Sequence, residues 1–377
     1  MIPLFARYPS LQEALPFVSL GQYPTPILDA PGLDPGGRCA AIAVKHDGVS
    51  GTLYGGNKVR KLEFLLADAL QRGHTEVLTF GGAGSNHALA TAIYARELGL
   101  ACNSLLIAQP NSYAVRTNLL RALQTDARLQ HFESTAGLVA GTLARAALNP
   151  LSGRAIPYFI PPGGTSALGL LGYVNAAFEL QAQIERGELE TPDVIYIACG
   201  TMGSCVGLTL GLAILGLQTR VCSIAVTDTR FSSLRRAQKL LRKANDLLRT
   251  ADASIAEVQL EDCRLELRHD FFGEEYGRYT PAGMAAVCEA ASATGLQLEG
   301  CYTGKCAAAL LHDLGSGRLE GQRVLLWNTY DALGSAATDN GADYHALPRK
   351  FYRYFESDVQ ALERETLDEL RQRQHLR

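Results

Sequence analysis

Twice in this chain a short, mainly apolar run ends in a glycine-rich turn that opens a helical stretch. Val77-Leu-Thr-Phe80 leads into Gly81-Gly82-Ala83-Gly84-Ser85-Asn86-His87 and an apolar stretch to Leu98, and Val194-Ile-Tyr-Ile-Ala198 leads into Gly200-Thr201-Met202-Gly203-Ser204 and Val206 to Leu217. Further apolar runs span Ala101 to Ile107 and Val221 to Val226. Strands that are apolar on both faces and alternate with helices predict an α/β protein with parallel sheets covered by helices. No repeat of 20–50 residues replaces that reading.

At 377 residues the chain exceeds the ~100–200 residues of one domain, so two domains are expected, with one large domain as the alternative. Prolines and glycines punctuate Ile156-Pro-Tyr-Phe-Ile-Pro-Pro-Gly-Gly164, where the chain is expected to cross between domains. A net charge of −3 with acids and bases interspersed provides no electrostatic pull toward nucleic acid or an anionic membrane. The N-terminus carries no secretory pattern, and no uncharged stretch of about 18 residues could span a bilayer, so the expected compartment is the cytoplasm. Nine scattered cysteines without a Cys-x-x-Cys pair read as reduced thiols, and eight dispersed histidines argue against a metal site.

Three segments carry chemistry. In Gly55-Gly56-Asn57-Lys58-Val-Arg60-Lys61, Asn57 occupies an N-cap position and Lys58 the first turn of a helix, where the positive end of the helix dipole lowers a lysine's affinity for its proton. A lone lysine there is usually a solvated one. Cations at 58, 60 and 61 together call for an anion such as phosphate, and a partly neutral lysine is suited to imine formation. The turn at Gly81–His87 aims backbone N–H groups, with Ser85 and Asn86, at whatever lies before the next helix, a cradle for a carboxylate or simply a cap. The Gly200–Ser204 turn has the glycine and hydroxyl content of a phosphate cup. Its Gly200-x-x-Gly203-x-x-x-Gly207 spacing departs from the dinucleotide fingerprint, and no acidic residue follows where that fingerprint needs one.

Together these segments resemble the family of 1-aminocyclopropane-1-carboxylate deaminase and D-cysteine desulfhydrase, enzymes of the tryptophan-synthase β fold (fold type II) that use pyridoxal 5′-phosphate (PLP). The likeness runs from about residue 40 to 345 and includes Pro162-Gly-Gly-Thr165, Tyr276-Gly277 with Pro281, and Tyr302-Thr-Gly-Lys305. It implies two domains with PLP at their interface: a discontinuous large one at 1–60 and 166–345 and a small one at 61–165. A charged tail, 346–377, is expected to be an exposed helix or an oligomer contact.

By this resemblance Lys58 is the Schiff-base lysine, and Lys61 joins Gly200, Thr201, Met202, Gly203 and Ser204 at the phosphate. Asn86 would hydrogen-bond the cofactor's phenolic oxygen, and Ser85 would lie near the substrate carboxylate or Cα. Tyr276 and Tyr302 would line the pocket as catalytic residues, with His87 and Tyr330 beside the substrate. Lys58 would then move the α-proton as a β-substituent departs. The implied reaction is α,β-elimination on a small, D-cysteine-like amino acid, giving a 2-oxo acid, ammonia and a leaving group such as sulfide, in a homodimer. Alternatives are the cyclopropane deaminase, a β-replacement synthase and a catalytically silent PLP carrier.

Thr303 and Thr329 fall at the cofactor and match the desulfhydrase pattern, whereas the deaminases carry Glu and an apolar residue there. The chain also departs from the family pattern. Asn328-Thr329-Tyr330-Asp331 replaces His-Thr-Gly-Gly, placing two large side chains where glycines leave space, and Lys45-His46-Asp47-Gly48 replaces Lys-Arg-Asp-Asp.

Overall fold

The computed structural model describes residues 1–151, 156–333 and 342–374, with the backbone alone for 144–151 and 374. Among the described residues, ten strands form two sheets. Strands β1 (Ile27–Asp29), β2 (Ala41–His46), β7 (Val194–Cys199), β8 (Arg220–Ala225), β9 (Leu265–Arg268) and β10 (Arg323–Asn328) make a six-stranded sheet ordered β1-β2-β10-β7-β8-β9. It is parallel except for β1 against β2. A four-stranded parallel sheet, β5-β4-β3-β6, comprises β3 (Glu76–Gly82), β4 (Ala101–Ile107), β5 (Arg128–Phe132) and β6 (Tyr158–Ile160). Strand β7 is buried at every position, as expected of a strand packed on both faces.

After the short helices α1 (Pro3–Arg7) and α2 (Ser10–Ala14) comes helix α3 (Lys58–Gln71). Helices α4 (Asn86–Glu97), α5 (Tyr113–Leu123) and α6 (Thr135–Leu151) belong with the smaller sheet. The larger one is covered by α7 (Ala167–Glu185), α8 (Gly203–Ile214), α9 (Leu234–Ala251), α10 (Pro281–Thr294) and α11 (Thr303–Gly315). Helix α3 packs against α7 and α4. Close helix approach depends on absent side chains: a Cβ on Gly172 would meet the Arg60 carbonyl at 2.1 Å, and one on Gly207 the Leu170 carbonyl at 2.5 Å.

Helix α3 is pinned by a buried ionic cluster. Arg60 bonds Asp47 and Glu179, each at 2.7 Å, while Lys45 reaches Glu179 at 2.5 Å. Burial would raise the Glu179 carboxyl, but Arg60 and Lys45 hold it at about 2. The expected gathering of three cations is therefore corrected to two. At 3.6 residues per turn, Lys58 and Lys61 share one face of α3 and Arg60 projects from another.

The tail also differs from expectation. It folds as separate short pieces, including α12 (Arg353–Glu356) and α13 (Leu367–Gln374), and packs down onto the protein. Leu347, Phe351 and Tyr354 are buried against Ala83, Leu106, Val115 and Leu119, and Leu370 is fully buried. Charge at 363–368 drew attention from these apolar anchors. Residues 334–341 and 375–377, within the expected large domain and tail, lie outside the described residues.

Candidate active site

The C-terminal ends of β3, β7 and β10 and the N-termini of α3, α4, α8 and α11 converge on one cavity of about 630 Å³. Of the residues nominated from the sequence, Lys58, Lys61, Ser85, Asn86, His87, the Gly200–Ser204 turn, Tyr276, Tyr302, Thr303, Thr329 and Tyr330 border it.

Lys58 Nζ donates to Asn57 Oδ1 at 2.8 Å and lies 5.9 Å from the centre of the Tyr302 ring. Burial, reinforced by the charge of Lys61, holds its ammonium pKa well below that of a free lysine. Asn57 makes no side-chain cap to α3, contrary to expectation. Its backbone is already helical, and its amide is drawn away to donate to Ser204 Oγ at 2.9 Å. Lys58 is thus tied through Asn57 to the first turn of α8.

The Gly200–Ser204 turn is shaped as an anion cradle. Met202 takes a left-handed conformation at φ 71°, costly for a residue with a Cβ, and opens α8 with no side-chain cap. Lys61 Nζ donates to the Gly163 carbonyl at 3.1 Å, and the Thr165 and Thr201 hydroxyls lie 2.7 Å apart. A Cβ on Gly203 would come 2.8 Å from Lys61 Nζ and 2.6 Å from Thr165 Oγ1, filling the cradle. Burial lowers Lys61 to about 8. His87 is buried with both ring nitrogens unpartnered, and burial and the two lysines keep it neutral. The Lys61 amine, a helix N-terminus and an orphaned imidazole fit a phosphate-bearing group. Gly163 and Thr165 were missed as site residues, although the Pro-Gly-Gly-Thr turn was their signal.

Ser85 caps α4 by accepting from the Ala88 N–H at 3.2 Å. Asn86 Oδ1 accepts from Asn118 at 2.8 Å, which leaves its NH₂ as the donor. Across the cavity the Tyr276 and Tyr302 hydroxyls lie 2.8 Å apart, with rings nearly perpendicular.

Glu299 is a wall residue the sequence reading missed. Its carboxylate accepts from the N–H groups of Cys301, Tyr302 and Thr303, opening α11, and burial raises its pKa despite those bonds. Thr303 Oγ1 accepts from the Glu299 N–H at 2.9 Å. Asp331, expected to crowd the pocket beside Tyr330, instead turns away to accept from Gly55 N–H at 2.8 Å and from Arg121 at 2.7 Å. His46 meets Asn328 at 3.2 Å across β2 and β10 rather than entering the cavity. Among the described residues no group of three or more His, Cys, Asp or Glu could hold a metal ion, and no helix is long and apolar enough to cross a membrane.

Parallel sheets meeting at a buried lysine and a phosphate cradle define a class of α/β cofactor enzyme. The family model for pyridoxal-phosphate dependent enzymes matches residues 18–329, and the chain belongs to that family, with PLP as its cofactor. It is 32% identical over 328 residues to a putative 1-aminocyclopropane-1-carboxylate deaminase of Pyrococcus abyssi, covering 86% of this chain and 92% of that one. It is 35% identical over 314 residues to a D-cysteine desulfhydrase of Klebsiella pneumoniae, covering 81% and 90%. A crystal structure of an ACC deaminase homologue superposes with a TM-score of 0.74 at 31% identity, covering 88% of this chain and 96% of the other. The protein is therefore a PLP-dependent enzyme of the deaminase and desulfhydrase type.

Proposed function

We propose that this enzyme is a lyase that eliminates a β-substituent from a small, D-cysteine-like amino acid, yielding a 2-oxo acid, ammonia and a leaving group such as sulfide. The observation that carries the reading is Lys58, whose buried amine faces the cavity beside the Tyr276–Tyr302 hydroxyl pair. When bound, PLP supplies the electron sink that makes the substrate's α-proton acidic.

The chain's residues do the rest. Lys61, His87 and the Gly200–Ser204 turn would hold the phosphate, while the Asn86 NH₂ would donate to the cofactor's phenolic oxygen. The N-terminus of α4, opened by Ser85, holds the substrate carboxylate. Lys58 Nζ takes the α-proton, and the Tyr276 and Tyr302 hydroxyls hold a proton for the departing sulfur. Neutral Thr303 and Thr329 support elimination over opening of a cyclopropane ring. A second reading, the deaminase, is favoured by the Glu299 carboxylate in the same wall. The enzyme is further read as a cytoplasmic homodimer, which sedimentation tests for assembly.

The deciding experiment records the visible spectrum of the protein and of Lys58→Ala, then adds D-cysteine, L-cysteine and 1-aminocyclopropane-1-carboxylate while 2-oxo acid and sulfide are assayed. Sulfide from one cysteine enantiomer, with a yellow band that requires Lys58, supports the lyase. A 2-oxo acid from the cyclopropane substrate without sulfide from cysteine replaces it with the deaminase.

A further inference from the structure

The cavity changes character from floor to mouth. Its floor is polar and enclosed, whereas its mouth is apolar and open. Helix α6 contributes Leu138, Val139 and Leu143 to the lining, together with Thr135 and Thr142, and the loop after β8 contributes Phe231. Val139 is 49% exposed, Leu143 65% and Phe231 41%, the reverse of where large apolar side chains normally sit. Among the described lining residues, Asp228 and Arg230 are paired with each other at 2.9 Å.

The cavity of about 630 Å³ is shared between the residues assigned to the cofactor, Lys58, Lys61, Asn86 and the Gly200–Ser204 turn, and the apolar side chains of α6 and Phe231. Cysteine carries no apolar group to set against these side chains. Resting on the elimination reading above, the amino and carboxylate groups are occupied at Lys58 and the N-terminus of α4. The β-substituent is then the part of the substrate left to extend toward α6 and Phe231.

We infer that the substrate class is S-substituted cysteines with an extended apolar group on sulfur, which Leu138, Val139, Leu143 and Phe231 receive. The reaction balances as R–S–CH₂–CH(NH₃⁺)–COO⁻ plus water giving R–SH, pyruvate and ammonium. The Cβ–S bond breaks, its electron pair leaves with sulfur, and the thiolate takes a proton. Neither oxidant nor reductant is required.

The test uses the PLP-loaded enzyme and two unreactive acids that lack the amine, 3-(benzylsulfanyl)propanoate and 3-sulfanylpropanoate, titrated by calorimetry at several temperatures. The benzylated acid is expected to bind at least tenfold more tightly and with a more negative heat-capacity change, the mark of apolar burial. Val139→Asp and Phe231→Ala, both at exposed positions, are each expected to remove most of that difference. Equal binding of the two acids, or a difference that survives both substitutions, overturns the proposal. So does a change of oligomeric state in Phe231→Ala without a change in affinity, which would assign the mouth to a second copy. D- and L-S-benzylcysteine are then assayed for phenylmethanethiol and pyruvate. Tail-dependent binding without these products keeps the apolar subsite and overturns the elimination chemistry, so the two failures are told apart.

Discussion

Arg121 Nη1 donates to Asp331 Oδ2 at 2.7 Å, joining α5 to the turn after β10 with both side chains almost wholly buried. The other Asp331 oxygen accepts from the N–H of Gly55, three residues before Lys58. The Arg121 guanidinium also lies 5.0 Å from the centre of the Tyr54 ring. One ion pair therefore braces the segment that presents the lysine.

Breaking that pair strands a buried charge. Asp331→Ala is expected to cost about 3–5 kcal/mol, read as a lower midpoint in urea unfolding. Arg121→Leu combined with Asp331→Ala should cost less than the two single losses added together, because neither charge is then left alone. Strict additivity in that cycle would show that the pair is not coupled.

Lys61→Met removes one cation from the cradle and leaves α3 its apolar stem. A charge-assisted hydrogen bond is worth about 1.5–3 kcal/mol, so PLP is expected to bind ~10–100-fold more weakly. Titration of the apoenzyme with PLP, followed by the visible band, measures this. Unchanged affinity would remove Lys61 from the phosphate site.

Two carboxylates of the ionic core respond oppositely to pH. Glu179 is held at about 2, below its ordinary 4.5, so its contribution is complete above 4.5 and is lost as pH falls toward 2. Burial raises Glu63 to about 7, although it accepts from the Leu20 and Gly21 N–H groups at 3.1 Å. The folded state then binds the extra proton between pH 4.5 and 7, and stability falls as pH rises through that window. Glu63→Gln keeps an acceptor oxygen for both N–H groups. It should flatten this fall and stabilise the protein above pH 7 by about 1–3 kcal/mol, measured by denaturant titration at pH 5 and pH 8.

Tyr276→Phe deletes one member of the hydroxyl pair and preserves the ring packing. Turnover is expected to drop by ~10²-fold, at the lower end of general-acid effects, with the visible spectrum and unfolding midpoint retained. A kcat within twofold of the parent's would reduce Tyr276 to a wall residue.

The strand, turn and helix junctions at β3–α4 and β7–α8 were legible in the chain because apolar runs and glycine turns act over a few residues. Lys58 at a helix start was legible for the same reason, and so were Ser85 and Asn86. Other features depended on partners remote in sequence. Arg60 left the expected cation cluster because Glu179 waits 119 positions away, and Asn57 gave up its cap for Ser204, 147 positions away. Asp331 turned from the pocket to Arg121, 210 positions away. Glu299 entered the wall because α11 begins beside it. The sequence by itself thus determined the local elements and the residue types that could do this chemistry. Only the tertiary structure decided which side chains face the cavity, because a buried charge or amide goes to the partner that satisfies it, and packing brings that partner into reach.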